Sequence, residues 1–255
     1  MDFQGKRVLV TGGARGIGRA IAQAFAERGA RVAIGYRENE AAAEATLASL
    51  DGEGREAHAA LRGDLADPVT ARRVVESAVE ALGAIDVLVN CAGIGLHHPL
   101  DAVDYETWQE AWQRILAVNL LAPANTSYVA ARHMIERGGG RIVNVGSRGA
   151  FRGEPDQPAY GASKAGLHAM SQSLAQHLAP HGIAVGVVAP GFVETDMAKS
   201  RLEGPGGEAI RAQSPLGRVA LPEEVAYAVL FLASDEAFFS TGAILDVNGA
   251  SYLRS

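Results

Sequence analysis

The sequence of 255 residues is poor in cysteine, in aromatic residues and in basic charge. Its one cysteine, Cys91, cannot form a disulfide within the chain, so a reducing compartment is expected. With 23 basic and 29 acidic residues the formal net charge is −6, without the basic excess typical of nucleic-acid-binding proteins. No uncharged run reaches the roughly 18 residues of a membrane span, and residues 1–6 contain no apolar signal core. We therefore expect a cytoplasmic protein that binds neither nucleic acid nor membrane.

Glycine, in contrast, is abundant at 30 residues, and 48 % of the chain is hydrophobic. Segments rich in Val, Ile and Leu alternate with helical segments, which is typical of a parallel sheet with helices on both faces. Strands are predicted at 6–11, 31–36, 56–62, 86–90, 141–145, 183–188 and 243–247. Helices are predicted at 16–28, 38–50, 68–82, 104–137, 158–179 and 222–233. No linker divides the chain, so residues 1–255 are expected to form one α/β domain, a Rossmann-type doubly wound parallel sheet of about seven strands.

Residues 191–215 interrupt this alternation. They contain Gly204-Pro205-Gly206-Gly207 and show little periodicity. Long irregular inserts of this kind are usually functional. We expect this one to be a mobile loop or lid on the substrate side.

A glycine-rich turn, residues 11–18, separates the first predicted strand from the first helix. Glycine permits a tight turn, and the free N–H groups at a helix start bind phosphate. Gly12, Gly16 and Gly18 depart from the common G-x-G-x-x-G spacing, but the strand–turn–helix context predicts a pyrophosphate site. A nucleoside-triphosphate loop is disfavoured, because Arg19 and Ala20 stand where that loop needs Lys and Ser or Thr.

The end of the second strand distinguishes between dinucleotides. An acid there would bind the ribose 2′-hydroxyl of NAD, whereas an arginine suits the 2′-phosphate of NADP. The sequence reads Gly35-Tyr36-Arg37, with Glu38 only beyond the arginine, and Arg15 lies in the glycine turn. This pattern favours NADP(H) over NAD(H). The alternative is that both arginines are solvated surface residues.

Tyr160 and Lys164 are four residues apart on a predicted helix and so share one face. A nearby ammonium group lowers the pKa of a phenol from its usual value near 10, which makes tyrosine a plausible general acid/base. An isolated pair of this spacing is usually structural, but Ser147 follows the strand 141–145 at the edge where parallel sheets bind ligands. Its hydroxyl could bind a carbonyl oxygen. Asn119 could bind water at a helix irregularity, or could simply face solvent.

These motifs occur together and in order over nearly the whole chain, and on them the sequence resembles the short-chain dehydrogenase/reductase family. Among its members the 3-oxoacyl-(acyl-carrier-protein) reductase-like proteins are the most similar in pattern. The remaining matching positions are Asp64, Asn90, Ala92, Gly93, Pro190, Gly191 and Thr195.

The resemblance implies that Tyr160 transfers the proton, Lys164 lowers its pKa and binds the nicotinamide ribose, Ser147 orients the carbonyl, and Asn119 positions a water. It also implies that Asp64, beside Leu65, binds adenine. The full set of implied cofactor-binding residues is Gly12, Arg15, Gly16, Ile17, Gly18, Arg37, Asp64, Leu65, Asn90, Ala92, Gly93, Tyr160, Lys164, Pro190, Gly191, Val193 and Thr195.

Cys91 stands where the family often has asparagine, and without an adjacent base we interpret it as a packing residue. His97 and His98 could border the substrate cleft, but a surface loop is the preferred interpretation for both. No Cys, His or Asp cluster has metal-ligand spacing, so no metal site is expected. Ser147 also lacks the G-x-S-x-G context of a hydrolase nucleophile.

The leading hypothesis is an NADP(H)-dependent oxidoreductase that interconverts a carbonyl compound and a secondary alcohol. The substrate remains open. A 3-oxoacyl thioester is one candidate, although Arg148, Arg152 and Glu154 would make the pocket polar. The alternatives are an NAD(H)-dependent alcohol, sugar or steroid dehydrogenase of the same family, and a non-catalytic dinucleotide-binding scaffold. The resemblance further implies a homotetramer, formed through the helices at 104–137 and 158–179 and the C-terminal strand.

Overall fold

Seven parallel strands form a single sheet in a computed structural model that describes residues 1–50 and 58–254. The strands are β1 (Arg7–Thr11), β2 (Arg31–Tyr36), β3 (Ala59–Arg62), β4 (Val87–Asn90), β5 (Gly140–Val145), β6 (Ile183–Pro190) and β7 (Ile244–Val247). Their order across the sheet is β3-β2-β1-β4-β5-β6-β7. The predicted doubly wound, Rossmann-type α/β fold is therefore confirmed.

Ten α-helices in the described residues connect and cover the strands. They are α1 (Gly16–Ala26), α2 (Glu40–Ala48), α3 (Pro68–Leu82), α4 (Tyr105–Leu116), α5 (Ala122–Glu136), α6 (Gly149–Arg152), α7 (Pro158–Leu178), α8 (Asp196–Glu203), α9 (Gly207–Ala212) and α10 (Pro222–Ala233). Local chemistry explains where several begin. Asp67 and Asp104 each accept the backbone N–H three residues on, at 2.9 and 2.8 Å, and so cap α3 and α4.

The core lies on both faces of the sheet, and the alternation along β1 shows this directly. Val8 and Val10 belong to a cluster with residues of α1 and α10, whereas Leu9 belongs to a second cluster with residues of α3, α5 and α7. All three side chains are fully buried. Because both faces are covered by helices, such strands have continuous apolar runs, and this is why the sequence predicts them well.

The chain direction across the sheet reverses at β1. Starting from β1 the chain builds outward to β2 and β3, then returns to place β4 on the other side of β1. In open parallel sheets this reversal leaves a crevice at the carboxyl ends of the strands, where ligands bind. The topology therefore places a binding site at the ends of β1, β2 and β4.

Three predicted elements differ from the structure. The helix predicted at 104–137 is two α-helices joined by a π-helical turn, Ala117–Leu121. Residues 191–215 are not irregular, since they contain α8 and α9. The strand predicted from residue 56 is Ala59–Arg62, and residues 56 and 57 lie outside the described residues. None of the described helices is both long and apolar enough to cross a membrane.

Candidate active site

A cleft of about 670 Å³ opens at the carboxyl ends of the central strands. Most of the predicted site residues lie in its wall. They are Gly12, Arg15, Gly16, Ile17, Gly18, Arg37, Asp64, Leu65, Ala92, Gly93, Ser147, Tyr160, Lys164, Pro190, Gly191, Val193 and Thr195. The other two predicted residues, Asn90 and Asn119, lie behind the wall.

The glycine turn at the start of α1 fits a phosphate group. Gly12 has φ +69° and Gly16 has φ +52°, values that L side chains rarely adopt. A Cβ on Gly12 would lie 2.8 Å from Cα of Ala92, and one on Gly18 would collide with the Gly12 carbonyl oxygen. Among residues 1–50 and 58–254, no side chain caps the N–H groups that open α1. These residues therefore leave both the space and the unpaired donors that a dinucleotide pyrophosphate needs.

Two residues of opposite charge directly follow β2. Arg37 and Glu38 line the cleft, and Arg37 Nε lies 2.9 Å from Glu38 Oε1. Nearby, Asp64 binds Arg114 Nη2 at 2.8 Å and accepts the Ala66 N–H at 3.0 Å. Burial acts to raise the pKa of Asp64, but these hydrogen bonds outweigh it and lower that pKa. The Asp64 carboxylate is thus charged and held at the edge where adenine is expected.

Asn90 lies in a buried polar network instead of the cleft. Its Nδ2 donates to Asn144 Oδ1 at 2.8 Å and to Ser127 Oγ at 3.1 Å. Its Oδ1 accepts from Thr126 Oγ1 at 2.7 Å. The network ties β4 to β5 and α5. The family resemblance implies a cofactor-binding role for Asn90, but the structure places its side chain in this network and not among the residues that line the cleft.

Asn119 is fully buried within the π-helical turn, so the alternative of a solvent-facing residue is wrong. Its side chain accepts the N–H of Ile94 and donates to the carbonyl of Ile94, both at 2.9 Å, and also donates to Ser163 Oγ. A Cβ on Gly93 would lie 3.5 Å from both Asn119 Oδ1 and Lys164 Nζ. The turn therefore brings Asn119 to the loop that faces Lys164.

Ser147 follows β5 by two residues and is 8 % exposed. Its Oγ accepts the N–H of Gly149 at 3.0 Å, which orients the hydroxyl and leaves its proton available to a ligand. The Ser147 N–H in turn points at Nε2 of the buried His168, at 3.4 Å. Sequence reasoning missed His168, because its distance along the chain hides the contact.

Tyr160 and Lys164 both reach the cleft from α7, as the spacing predicts. Lys164 Nζ donates to the carbonyl of Val145 at 2.9 Å and lies 5.8 Å from the centre of the Tyr160 ring. Burial lowers the pKa of Lys164 to about 8, so the group remains mostly charged at neutral pH.

The pKa of Tyr160 is raised, whereas the sequence predicts that Lys164 lowers it. Burial raises this pKa above the ordinary value of 10.0. Ser147 and Arg201 act to lower it, Glu154 acts to raise it, and the net direction is upward. The Tyr160 hydroxyl is therefore protonated at neutral pH.

Cys91 lines the cleft, and burial raises the pKa of its thiol to about 12, so it is not a thiolate.

His98 is fully buried and not in a surface loop, with Nδ1 2.7 Å from the Leu96 carbonyl and Nε2 accepting the Ala159 N–H. His97 is exposed, as expected of a surface loop. Among the described residues, no three His, Cys, Asp or Glu side chains are placed to share a metal ion.

Sequence reasoning also missed polar residues at the substrate side of the cleft. Gln157 and Arg201 line it beside Tyr160. With the Gln157 amide oxygen turned towards Arg201, its guanidinium nitrogens lie 3.0 and 2.6 Å away. Arg201 lies on α8, and nothing in its own sequence neighbourhood marks it as a site residue.

A Rossmann-type sheet whose switch-point cleft holds a glycine turn together with Ser, Tyr and Lys defines a dinucleotide-dependent oxidoreductase. The family model described as enoyl-(acyl carrier protein) reductase matches residues 12–250. The chain belongs to the short-chain dehydrogenase/reductase family and is an NAD(P)-dependent dehydrogenase/reductase.

Similar proteins include 3-oxoacyl-(acyl-carrier-protein) reductase of Escherichia coli, 42 % identical over 253 residues that cover 99 % of this chain and 100 % of the relative. L-rhamnose 1-dehydrogenase (NAD(P)(+)) of a Sphingomonas species is 40 % identical, with coverage of 99 % and 98 %. A short chain dehydrogenase from Burkholderia cenocepacia, solved in complex with NADP, has a TM-score of 0.88 and 37 % identity, with coverage of 98 % and 99 %.

Proposed function

We propose that this protein catalyses the NADP(H)-dependent interconversion of a carbonyl compound and a secondary alcohol, with Tyr160 as the general acid/base. The convergence of Ser147, Tyr160 and Lys164 on one cleft with the glycine turn carries this proposal. A bound nicotinamide cofactor supplies or accepts the hydride. The protein binds and orients the substrate and moves the proton.

Ser147 and Tyr160 would both bind the substrate oxygen. The Ser147 hydroxyl is held by the Gly149 N–H and has its own proton to donate. Tyr160, whose pKa is raised by burial, is protonated at neutral pH and can donate as well. Two donors directed at one oxygen stabilise the negative charge that develops there during reduction. The protonation state of the free site thus suits carbonyl reduction.

Lys164 and Asn119 would hold the nicotinamide end and supply the proton route. Lys164 uses one of its three N–H donors on Val145 and has two left for ribose hydroxyl groups. The charged ammonium would favour the phenolate form of Tyr160 after it gives up its proton. Asn119 would position a water near Lys164, beside Gly93.

Arg37 and Arg15 support NADP(H) over NAD(H). Both line the cleft where β2 ends, and β2 itself carries no acid there. Glu38 pairs with Arg37, so its carboxylate is engaged by the arginine. A 2′-phosphate would be a stronger acceptor for a guanidinium than a hydroxyl group.

Two substrate classes follow from the relatives. The similarity to 3-oxoacyl-(acyl-carrier-protein) reductases favours a 3-oxoacyl thioester. The similarity to an L-rhamnose dehydrogenase favours a sugar. A panel of oxoacyl thioesters, sugars, steroids and small ketones, each with NADPH and with NADH, distinguishes them.

We also infer a homotetramer with two kinds of interface. Leu121 and Tyr128, at the start of and within α5, are 54 % and 68 % exposed. On the other side of the sheet Tyr227 of α10 is 61 % exposed, and Phe239 is completely exposed. Two separate exposed apolar surfaces allow two distinct contacts per chain, as a tetramer with dihedral symmetry requires.

Replacing Tyr160 with Phe tests the central assignment. The change removes the hydroxyl but keeps the ring, so we expect kcat to fall about 10²- to 10⁴-fold because proton transfer is lost. NADPH binding, measured by fluorescence titration, should change little. Full turnover by this variant would refute the role of Tyr160, and no turnover of any carbonyl by the unmodified protein would refute the function.

A further inference from the structure

Two arginines converge on one neutral oxygen beside the cleft. Arg148 is among the residues that line the cleft, whereas Arg152 and Gln213 are not. Arg148, which directly follows Ser147, donates Nη2 to Gln213 Oε1 in a short hydrogen bond. Arg152 Nη1 donates to the same oxygen at 3.2 Å. Burial and the charge of Arg152 lower the pKa of Arg148, and Glu154 acts to raise it. Guanidinium groups pair most strongly with carboxylates, and a shared amide oxygen together with a carboxylate that forms no ion pair compensates their charge only in part.

Arg148 is the more unusual of the two because it is only 3 % exposed. Its other contacts are also neutral, namely a short hydrogen bond to Ser251 Oγ and the ring of Phe192 at 5.2 Å. Within residues 1–50 and 58–254, neither Arg148 nor Arg152 forms a salt bridge. Burying a charge that no ion pair compensates is costly. Binding of an anionic ligand to Arg148 would reduce this cost.

The position of Arg148 connects this charge to the chemistry. Arg148 lines the main cleft together with Ser147 and Tyr160, and it also lines a smaller adjoining cavity of about 170 Å³. Its Cα is one residue, about 3.8 Å, from that of Ser147. A substrate whose carbonyl lies at Ser147 and Tyr160 could therefore extend along the wall that Arg148 forms between the cleft and the smaller cavity.

The neutral partner is an exposed side chain on an anchored backbone. Gln213 directly follows α9 and is exposed. The next residue, Ser214, is buried and donates Oγ to the Gly249 carbonyl at 2.7 Å. Displacement of the Gln213 amide therefore requires rotation of its side chain but no movement of the backbone.

We propose that the substrate carries a carboxylate, and that this carboxylate binds Arg148 and Arg152 in the position that the Gln213 amide oxygen occupies in the free protein. The inference rests on the proposed carbonyl–alcohol function and narrows it to oxo acids and hydroxy acids. The amide oxygen is planar and accepts from two donors, as a carboxylate oxygen does. The substrate would thus replace a neutral acceptor by a charged one of the same shape.

Matched substrates provide the first test. Oxo acids of increasing chain length are compared with their methyl esters, which keep the carbonyl and remove the charge. We expect kcat/KM with NADPH to be about tenfold or more higher for the best acid than for its ester, because charge-assisted hydrogen bonds are lost in the ester. Turnover of acid and ester with equal kcat/KM would overturn the inference and leave the proposed function intact.

Two variants locate the effect. In Arg152→Gln the KM of the acid should rise about tenfold while the kinetics of the ester stay unchanged. Gln213→Glu places a carboxylate between the two arginines, so it should raise the melting temperature and abolish the preference for the acid. Arg73→Gln removes an exposed arginine on α3, outside the residues that line the cleft. It should leave kcat/KM unchanged for both the acid and the ester.

Ligand binding without turnover separates failure of the site from failure of the function. Malonate and succinate should raise the melting temperature of the unmodified protein, whereas their diamides should not. The shift should disappear in Gln213→Glu and persist in Arg73→Gln. Equal effects of acids and diamides would overturn the carboxylate site whatever the enzyme assays show.

Discussion

Arg37 is the residue at which cofactor choice can be tested most directly. Replacement by Ala removes the guanidinium proposed to bind the 2′-phosphate. We expect the KM for NADPH to rise about tenfold, because a charge-assisted hydrogen bond is lost, and the KM for NADH to stay nearly constant. Steady-state kinetics with both cofactors measures this.

Glu38→Gln is the matched control for this prediction. It releases Arg37 from its ion pair and removes an anion from the phosphate site. The KM for NADPH should therefore fall or stay constant. If Arg37→Ala changes the KM for NADPH and the KM for NADH by the same factor, the arginine is only a surface residue.

His168 makes stability depend on pH. Burial lowers its pKa from 6.5 to about 4, and the positive charges of Lys164 and Arg254 act in the same direction. Between these values the unfolded chain binds the proton more readily than the folded one. Stability is therefore unaffected above pH 6.5 and falls as the pH drops towards 4. At pH 5 the loss from this residue is about 2 kcal/mol relative to pH 7.

Urea unfolding at pH 7 and pH 5 measures the loss. His168→Gln keeps a hydrogen-bond acceptor for the Ser147 N–H but cannot titrate. Its loss of stability between the two pH values should be smaller than that of the unmodified protein by about the same 2 kcal/mol. If the free energy of unfolding falls by the same amount between pH 7 and pH 5 in both proteins, carboxylates alone cause the fall.

At the scale of elements, the strands and most helices could be predicted because their signals are local. Continuous apolar runs mark β1, β4 and β6, and Pro68, Pro158 and Pro222 stand at helix starts. The helix irregularity considered for Asn119 is present, but the sequence did not predict that it is a π-helical turn. The hydrogen bonds of Asn119 within this turn reach Ile94, 25 residues away in the chain.

The segment 191–215 shows a second limit of sequence patterns. Its helices, α8 and α9, have eight and six residues, which is too short for periodicity to emerge against the intervening glycines. His98 illustrates the same limit, since its burial depends on the backbone of Ala159. The glycine turn and the residues Ser147, Tyr160 and Lys164 were found because their spacing has chemical meaning. Arg201 was not, because only the folding of α8 over the cleft brings it to Tyr160.

The exposed apolar surfaces predict how the whole molecule behaves in solution. Sedimentation velocity should show a tetramer, because Leu121 and Tyr128 on one face and Tyr227 and Phe239 on the other would be covered only by other copies. Tyr128→Glu should dissociate it to dimers by burying a charge at one interface.

Val69→Glu is the control for this prediction. Val69 is 72 % exposed and lies on α3, which contributes no residue to either proposed surface. It should leave the assembly unchanged. A monomer at micromolar concentration for the unmodified protein would contradict the tetramer.

The strand order also determines when the protein can fold as it is synthesised. β1 pairs with β2 soon after both leave the ribosome, but its other edge waits for β4, where Val8 pairs with Val87. Until then β1, with its apolar residues Val8, Leu9 and Val10, has one open edge, the condition in which nascent chains associate wrongly. Parallel pairings between distant residues form slowly. The glycine turn is thus among the first parts of the site to be synthesised, whereas β4 and α7 are synthesised much later, so the site is completed only late in synthesis.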